Sequence, residues 1–444
     1  MNRSVIVVAV GIVAAISQCA AEVRHLTLTE AVHLAIGQNR ALKIARLKVA
    51  ENEQKKAGER SAYFPSLKNE SNLLHITELQ SISIPAGTFG MAAGSEVPAR
   101  NTSLPQGQKT LYASGTQLSQ PLTQLIRIRD ANRMAAADIA ISQDDLKRAE
   151  NEIALQVHSV YYGILIAKLQ KQAAEQQTQY ADESLRESED DVRNGNALRV
   201  AAIQGQATVL ESQQAVLTAD LQITDLTAEL NDLLGLPLDT QLDLDAAAPA
   251  DLDRRSREEY VQTAWSQNPQ IKAAEDAAEK ARAAGGGAKA AYIPDVTAYA
   301  RQSYQDGFPF LVRNFGTFGV HMTWDLFDFG KRRAAVRESE AQLAQAEENV
   351  RRLKEEVAVS IQRSYNKVER TKSLVQVAQQ VVKLRQESER LAQNQLAQGV
   401  VLISDCRQAT AATYKAQADL LRANLGYLLA WAELQESAGM TPGF

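Results

Sequence analysis

The chain has two cysteines in 444 residues, Cys19 and Cys406, which excludes a disulfide-built scaffold and a cysteine-rich metal site. Aromatic residues make up 5 % and prolines number 11, too few for an all-β protein of this size. A formal net charge of −5 leaves no basic field, so no nucleic-acid partner is expected. The five histidines, His25, His33, His75, His158 and His321, are scattered without a carboxylate at ligand spacing, and no metal is expected. No nucleophile elbow, phosphate loop or metalloprotease helix occurs, so neither an enzyme nor a cofactor is expected. Gly285-Gly286-Gly287 lacks the Lys-Ser/Thr of a phosphate loop and reads as a bend or as close approach to another helix.

What is present is one pattern used twice. Gln38-Asn39 recurs as Gln267-Asn268, Gly58 as Gly287, and Tyr63-Phe64-Pro65 as Tyr292-Ile293-Pro294, each pair 229 residues apart. Further on, Tyr161 matches Tyr365, Gly195 matches Gly399, Leu198 matches Leu402 and Glu229-Leu230 matches Glu433-Leu434, now 204 apart. The difference is 25 extra residues in the first copy, between about Leu67 and Leu118. A duplication with one insert points to pseudo-symmetric architecture and away from a single catalytic centre.

Met1-Asn2-Arg3, the apolar run Val5 to Ile16 and Cys19-Ala20-Ala21 read as a signal peptide over residues 1–21. The run is too short for a membrane anchor, and no later stretch reaches the ~18 apolar residues of a transmembrane helix. Gln18 fits poorly before a lipidated cysteine, and cleavage of the signal peptide leaves Cys406 as the mature chain's one thiol.

The first repeat is read over 22–240 and the second over 256–444, with a linker at 241–255. Each consists of a helix, a strand pair and two long helices. The opening helices are expected from Thr27 or Thr29 towards Arg60 and from Ser256 to about Ala291, stopped by Pro65 and Pro294. Phe318, Val320, Met322, Trp324 and Leu326 alternate with Thr317, Gly319, His321, Thr323 and Asp325, giving a strand with one apolar and one polar face. The strands are expected at 66–79, 110–118, 296–304 and 315–326, with a long surface loop at 81–109. On the polar face His321 and Thr323 are candidates for lining a lumen. Trp324 and Phe327 to Phe329 suit an aromatic girdle or ordinary packing between strand and helix.

The later helices carry coiled-coil seams. Leu343, Ala346, Val350, Leu353 and Val357 advance by three and four, as do Leu374, Val377, Val381 and Leu384. Gly195 and Gly399 interrupt such runs as tight turns. From Leu122 to Gly195 the helix approaches 110 Å at about 1.5 Å per residue, longer than a bilayer and of the order of a periplasm. The strands match the ~9–11 residues of a membrane β-strand. Four strands cannot close in lipid, so the chain must share a barrel with copies of itself.

In combination these residues resemble the TolC-type outer membrane efflux protein family over nearly the whole mature chain. The likeness rests on the repeated Gln-Asn helices, the Tyr-x-Pro lead-in to each strand pair, Trp324 to Lys331 after the second pair, and the glycine turns at 195 and 399. It implies a homotrimer, mainly α with membrane β, whose twelve-stranded barrel continues as an α-helical coiled-coil tunnel across the periplasm. It also implies residence in outer-membrane lipid and docking to a periplasmic adaptor and an inner-membrane transporter. Gly195, Leu198, Gly399 and Leu402 then mark the periplasmic tip, and Asp405 is the candidate constriction acid, with a solvated helix-surface aspartate as the other reading. The family's second acid falls on Gln408, and its tyrosine and arginine beside the turn fall on Leu396 and Val401, so a double acidic ring and polar lock are not matched. An exported coiled-coil scaffold without a pore is the alternative, although it leaves the paired amphipathic strands unexplained. Cargo, adaptor and pump are not identified by any residue.

Overall fold

A computed structural model describes residues 23–105, 107–245, 255–308 and 311–442. The signal peptide read at 1–21 and most of the linker read at 241–255 lie outside them. The first half runs through β1 (Arg24–Leu26), α1 (Leu28–Gln38), α2 (Arg40–Ser61) and β2 (Ser66–His75). Four short strands follow, β3 (Ser81–Ile84), β4 (Met91–Ala92), β5 (Ser95–Glu96) and β6 (Thr102–Pro105), and then β7 (Thr110–Pro121). Two long helices, α3 (Leu125–Arg193) and α4 (Arg199–Leu234), lead to β8 (Leu242–Leu244). The second half comprises α5 (Arg257–Gln267), α6 (Pro269–Ala290), β9 (Asp295–Asp306), β10 (Asn314–Thr323), α7 (Lys331–Ala397) and α8 (Ile403–Ser437). No described helix is long and apolar enough to cross a membrane. The chain divides into two units, Met1–Arg46 with Asp145–Gln270 and Lys354–Phe444, and Leu47–Asp144 with Ile271–Leu353.

Within the first unit, each opening helix differs from the single helix expected. It breaks in two at the duplicated asparagine. Asn39 holds φ −59° and ψ 131°, and Asn268 φ −64° and ψ 121°, both outside the helical region. Their Oδ1 atoms accept the amides of Ala41 and Gln270, each at 2.9 Å, so they cap α2 and α6. Their Nδ2 groups donate to Leu233 O and Ser437 O, each at 3.1 Å, at the ends of α4 and α8. These carbonyls are again 204 residues apart. Gly235 (φ +70°) and Gly439 (φ +79°) follow, a further pair at that offset, and supply the left-handed turn that ends each helix.

The core of this unit includes Tyr161, Ile164, Leu230, Leu234 and Leu425, all essentially sealed from solvent. Tyr161 Oη lies 3.0 Å from Leu26 O and 2.9 Å from Asp245 O, next to the two strands β1 and β8, which pair in parallel from Arg24↔Leu242. Thr27 caps α1 reciprocally with Glu30, and Ser256 caps α5 with Glu259.

In the second unit β10, β9, β7 and β2 form one antiparallel sheet in that order. The strand expected at 66–79 ends at His75, opposite Thr110, and the one expected at 110–118 continues to Pro121. The strand expected at 296–304 spans Asp295–Asp306. The one expected at 315–326 stops at Thr323, because its partner β9 begins at Asp295 directly after Pro294 and leaves Trp324 to Leu326 nothing to pair with. The 81–109 segment is more ordered than a plain loop, with ladders β3–β6 and β4–β5 of its own. α6 runs unbroken through Gly285 to Gly287. A Cβ at Gly286 would lie 2.7 Å from Asp130 Oδ2, so close approach to α3, and not a bend, accounts for that glycine.

Candidate functional site

Alternation along the four paired strands sorts their side chains onto two faces. Leu67, Leu73, Leu118, Phe318, Val320 and Met322 share one face; Phe318 is 89 % exposed and Leu73 74 %. Lys68, Glu70, Arg301 and His321 share the other. The apolar face also holds Asn69, Ser71, Ser114 and Thr116, which masks the alternation of β2 and β7 in the sequence. Those groups satisfy one another across strands: Asn69 Nδ2 donates to Thr116 Oγ1 at 2.8 Å, and the hydroxyls of Ser71 and Ser114 lie 2.9 Å apart. His321 and Thr323 stand together on the polar face, with Nε2 3.1 Å from Oγ1. Just past β10, Trp324, Leu326, Phe327 and Phe329 are all exposed. Asp328 anchors this segment to α7 by accepting the amides of Gly330 (3.1 Å) and Arg332 (3.0 Å) and the Arg332 guanidinium (2.6 Å). Those bonds hold its carboxyl below the usual range.

The turn residues and Asp405 belong to the first unit. Gly195 (φ +77°) and Gly399 (φ +71°) adopt the left-handed conformation that ends α3 and α7. Leu198 and Leu402 are the N-cap residues of α4 and α8, and neither side chain can accept a hydrogen bond. At α8 two carboxylates act in place of a capping side chain. Asp405 Oδ2 accepts the Leu402 amide at 3.2 Å, and Glu187 Oε1 of α3 accepts the Ser404 amide at 2.9 Å. Negative charge here also suits the positive end of the helix dipole. Asp405 is exposed, as are Leu198 at 77 % and Leu402 at 61 %. Glu187 was invisible to sequence reasoning, since 217 residues separate it from Ser404. Gly235 and Gly439 were also missed, although the 204-residue offset could have found them.

Among the described residues, neither the histidines nor the carboxylates near the helix turns converge on chemistry. His158 is 1 % exposed, and burial pushes its pKa down to about 4. His25 sits 2.9 Å from Asp243 on the surface. Asp190 pairs with Arg193 in the last turn of α3. Among the described residues no group of three or more His, Cys, Asp or Glu could hold a metal ion.

The sequence profile described as outer membrane efflux protein matches residues 31–236 and 260–440. The alkaline protease secretion protein AprF of Pseudomonas aeruginosa is 24 % identical over 339 residues, covering 74 % of this chain and 70 % of the relative. Three solved structures are similar over almost the whole chain. The CmeC outer membrane channel of Campylobacter jejuni has a TM-score of 0.74 at 16 % identity, covering 93 % of this chain and 85 % of its own. The outer membrane protein VceC of Vibrio cholerae scores 0.71 at 15 %, covering 94 % and 97 %. CusC scores 0.73 at 15 %, covering 93 % and 92 %. At such identities the likeness is one of fold.

Proposed function

The chain belongs to the outer membrane efflux protein family, and we infer that it is the outer-membrane exit duct of a tripartite efflux or secretion system. The observation that carries this reading is the four-stranded sheet with one apolar face, one charged face and two edges, β2 and β10, that pair with no further strand among the described residues. An open edge is not tolerated in lipid. Because the four strands alternate in direction, β2 of one copy can pair antiparallel with β10 of the next. Three copies then close a barrel of twelve, within the range of membrane barrels. The apolar face meets lipid, the charged face lines the lumen, and the exposed aromatic cluster after β10 lies at a membrane interface.

The helices support the same assembly. Leu374, Val377 and Leu384 of α7, seam positions, are more than half exposed, as are Ile203, Leu210 and Leu217 of α4, which recur every seven residues. A second copy covers such stripes in a coiled-coil tunnel. Burying each leucine contributes about 1.5–3 kcal/mol. Periplasmic adaptor and inner-membrane transporter are the partners of this reading, and it includes no catalytic step.

At the tip turns, three copies of Asp405 form a cation-favouring constriction, with Leu198 and Leu402 exposed for adaptor docking. The lumenal assignment of His321 and Thr323 follows from the face they share with Lys68 and Arg301. Planar-bilayer recording of the purified detergent-extracted protein tests the duct and its gate together. Discrete cation-preferring channels whose conductance rises in Asp405→Ala support both. Channels indifferent to the substitution retain the duct and move the gate away from Asp405. Monomers without channels, from folded protein in the outer membrane, refute the duct.

A further inference from the structure

Strand register sets Lys68, Gln117, Arg301 and Thr317 opposite one another, one per strand, in a single row across the charged face. Two of the four are cations. With strands ~4.8 Å apart, Lys68 and Arg301 are separated by roughly 10 Å. The Arg301 guanidinium does not extend freely from the sheet. It lies over Gly115, where a Cβ would come within 2.6 Å of Nη2 and 2.7 Å of Nε. Any larger residue at 115 displaces it. A depression of about 380 Å³ opens here, with Glu70 and Arg301 among its lining. Neither Lys68 nor Arg301 forms an ion pair among the described residues. The two cations therefore start from one register row, neither held in an ion pair among the described residues, with the Arg301 guanidinium leaning towards the Gly115 row that also holds Glu70.

We propose that Lys68 and Arg301 form an anion-attracting ring in the barrel lumen, with Gly115 providing the bed that holds Arg301 against the wall. The proposal rests on the three-copy barrel inferred above. Per chain, two cations against the carboxylate of Glu70 leave one net positive charge, hence three per ring. Rings of charged side chains select ions by sign. This section of the duct favours anionic solutes, the opposite sign from the ring assigned to Asp405. Arg301 is a specificity residue and Gly115 a positioning residue.

The test places a reporter thiol in the same row, Thr317→Cys in a Cys406→Ser background, with full-length protein in isolated outer membranes. Its rates of modification by anionic sulfonatoethyl and cationic trimethylammonioethyl methanethiosulfonate are compared. Adding Lys68→Gln and Arg301→Gln removes six positive charges per trimer. With Arg301 one strand (~5 Å) and Lys68 of the same chain three strands (~14 Å) from Thr317, and a screening length of about 8 Å, the anionic-to-cationic rate ratio is expected to fall about tenfold. Arg301→Lys, which keeps the charge, should restore part of the ratio, and Gly115→Val should lower it without removing any charge. An unchanged ratio at a thiol that both reagents reach overturns the ring and leaves the duct standing. Modification of Phe318→Cys by both water-soluble reagents, with Thr317→Cys protected, puts the charged face outside the lumen. That outcome overturns the barrel reading and the ring together.

Discussion

Gly235 and Gly439 occupy equivalent positions in the two repeats and share a left-handed backbone, φ +70° and +79°. Substituting alanine costs both of them the left-handed penalty, about 1–2 kcal/mol. Their surroundings then separate them. A Cβ at Gly235 meets Gln38 O at 3.3 Å, which a shift of a few tenths of an ångström relieves. A Cβ at Gly439 falls 2.4 Å from Asn268 Cα and 3.0 Å from Asn268 N. Asn268 cannot easily retreat, because it caps α6 through Gln270 and holds Ser437 O, while Asn151 Nδ2 reaches Gly439 O at 3.4 Å. Overpacking against such a site adds about 1–3 kcal/mol. The expected losses are therefore about 1–2 kcal/mol for Gly235→Ala and about 2–5 kcal/mol for Gly439→Ala. Thermal unfolding of the detergent-solubilised protein, followed by circular dichroism, measures the order of the two midpoints. Equal midpoints, or a lower one for Gly235→Ala, would refute the argument that the close approach to Asn268 governs this corner.

The buried His158 makes the helical unit acid-sensitive. Its folded pKa of about 4 lies below the unfolded value near 6.5, so the unfolded chain binds more protons and stability falls as pH drops from 6.5 towards 4. The loss reaches about 2 kcal/mol at pH 5 and about 3 kcal/mol by pH 4. His158→Gln should flatten that dependence, as read from midpoints at pH 7.5 and 5. Asn39→Ala and Asn268→Ala each remove a cap and leave a helix-terminal carbonyl unpaired, and each should cost about 1–3 kcal/mol. Matching losses at the two sites would reflect the shared geometry, whereas a neutral result at either would contradict it. Glu187→Gln weakens the bond to the Ser404 amide, and hydrogen exchange should quicken in the first turn of α8 while its distal turns stay protected. Excising Ser81–Pro105 leaves the β2–β7 ladder intact, because among the described residues β3 pairs only with β6 and β4 only with β5. That deletion should still yield detergent-resistant trimers, and their loss would assign the segment a part in assembly.

Much of the architecture follows from local chemistry repeated twice. The 3–4 spacing of Leu353 and Val357, the period-two run from Phe318 to Met322, and Pro65 and Pro294 each act within a few residues. They specify long helices and membrane-length strands wherever they occur. The duplication multiplies these weak signals, and the weakly alternating first strand pair became legible through the second. Its weakness has a physical origin, since Asn69, Ser71, Ser114 and Thr116 occupy the apolar face and are tolerated there by bonding across strands.

Other features depend on contacts between distant segments and were not legible. The break at Asn39 and Asn268 looks helical by composition. It occurs because each amide finds a carbonyl at the end of a helix some 170 to 190 residues further along the chain. The N-terminus of α8 is completed by Glu187, and Gly286 is required by Asp130, which local patterning cannot reveal. On the sheet, sequence alone identifies Lys68 and Arg301 as polar-face residues of different strands. Only the register of β2, β7 and β9 sets them level, and only the missing side chain of Gly115 lets the guanidinium lie down. Sequence determined the elements because their periodicity is local; tertiary structure decided the caps, close approaches and charge row because each needs a partner that chain order does not supply.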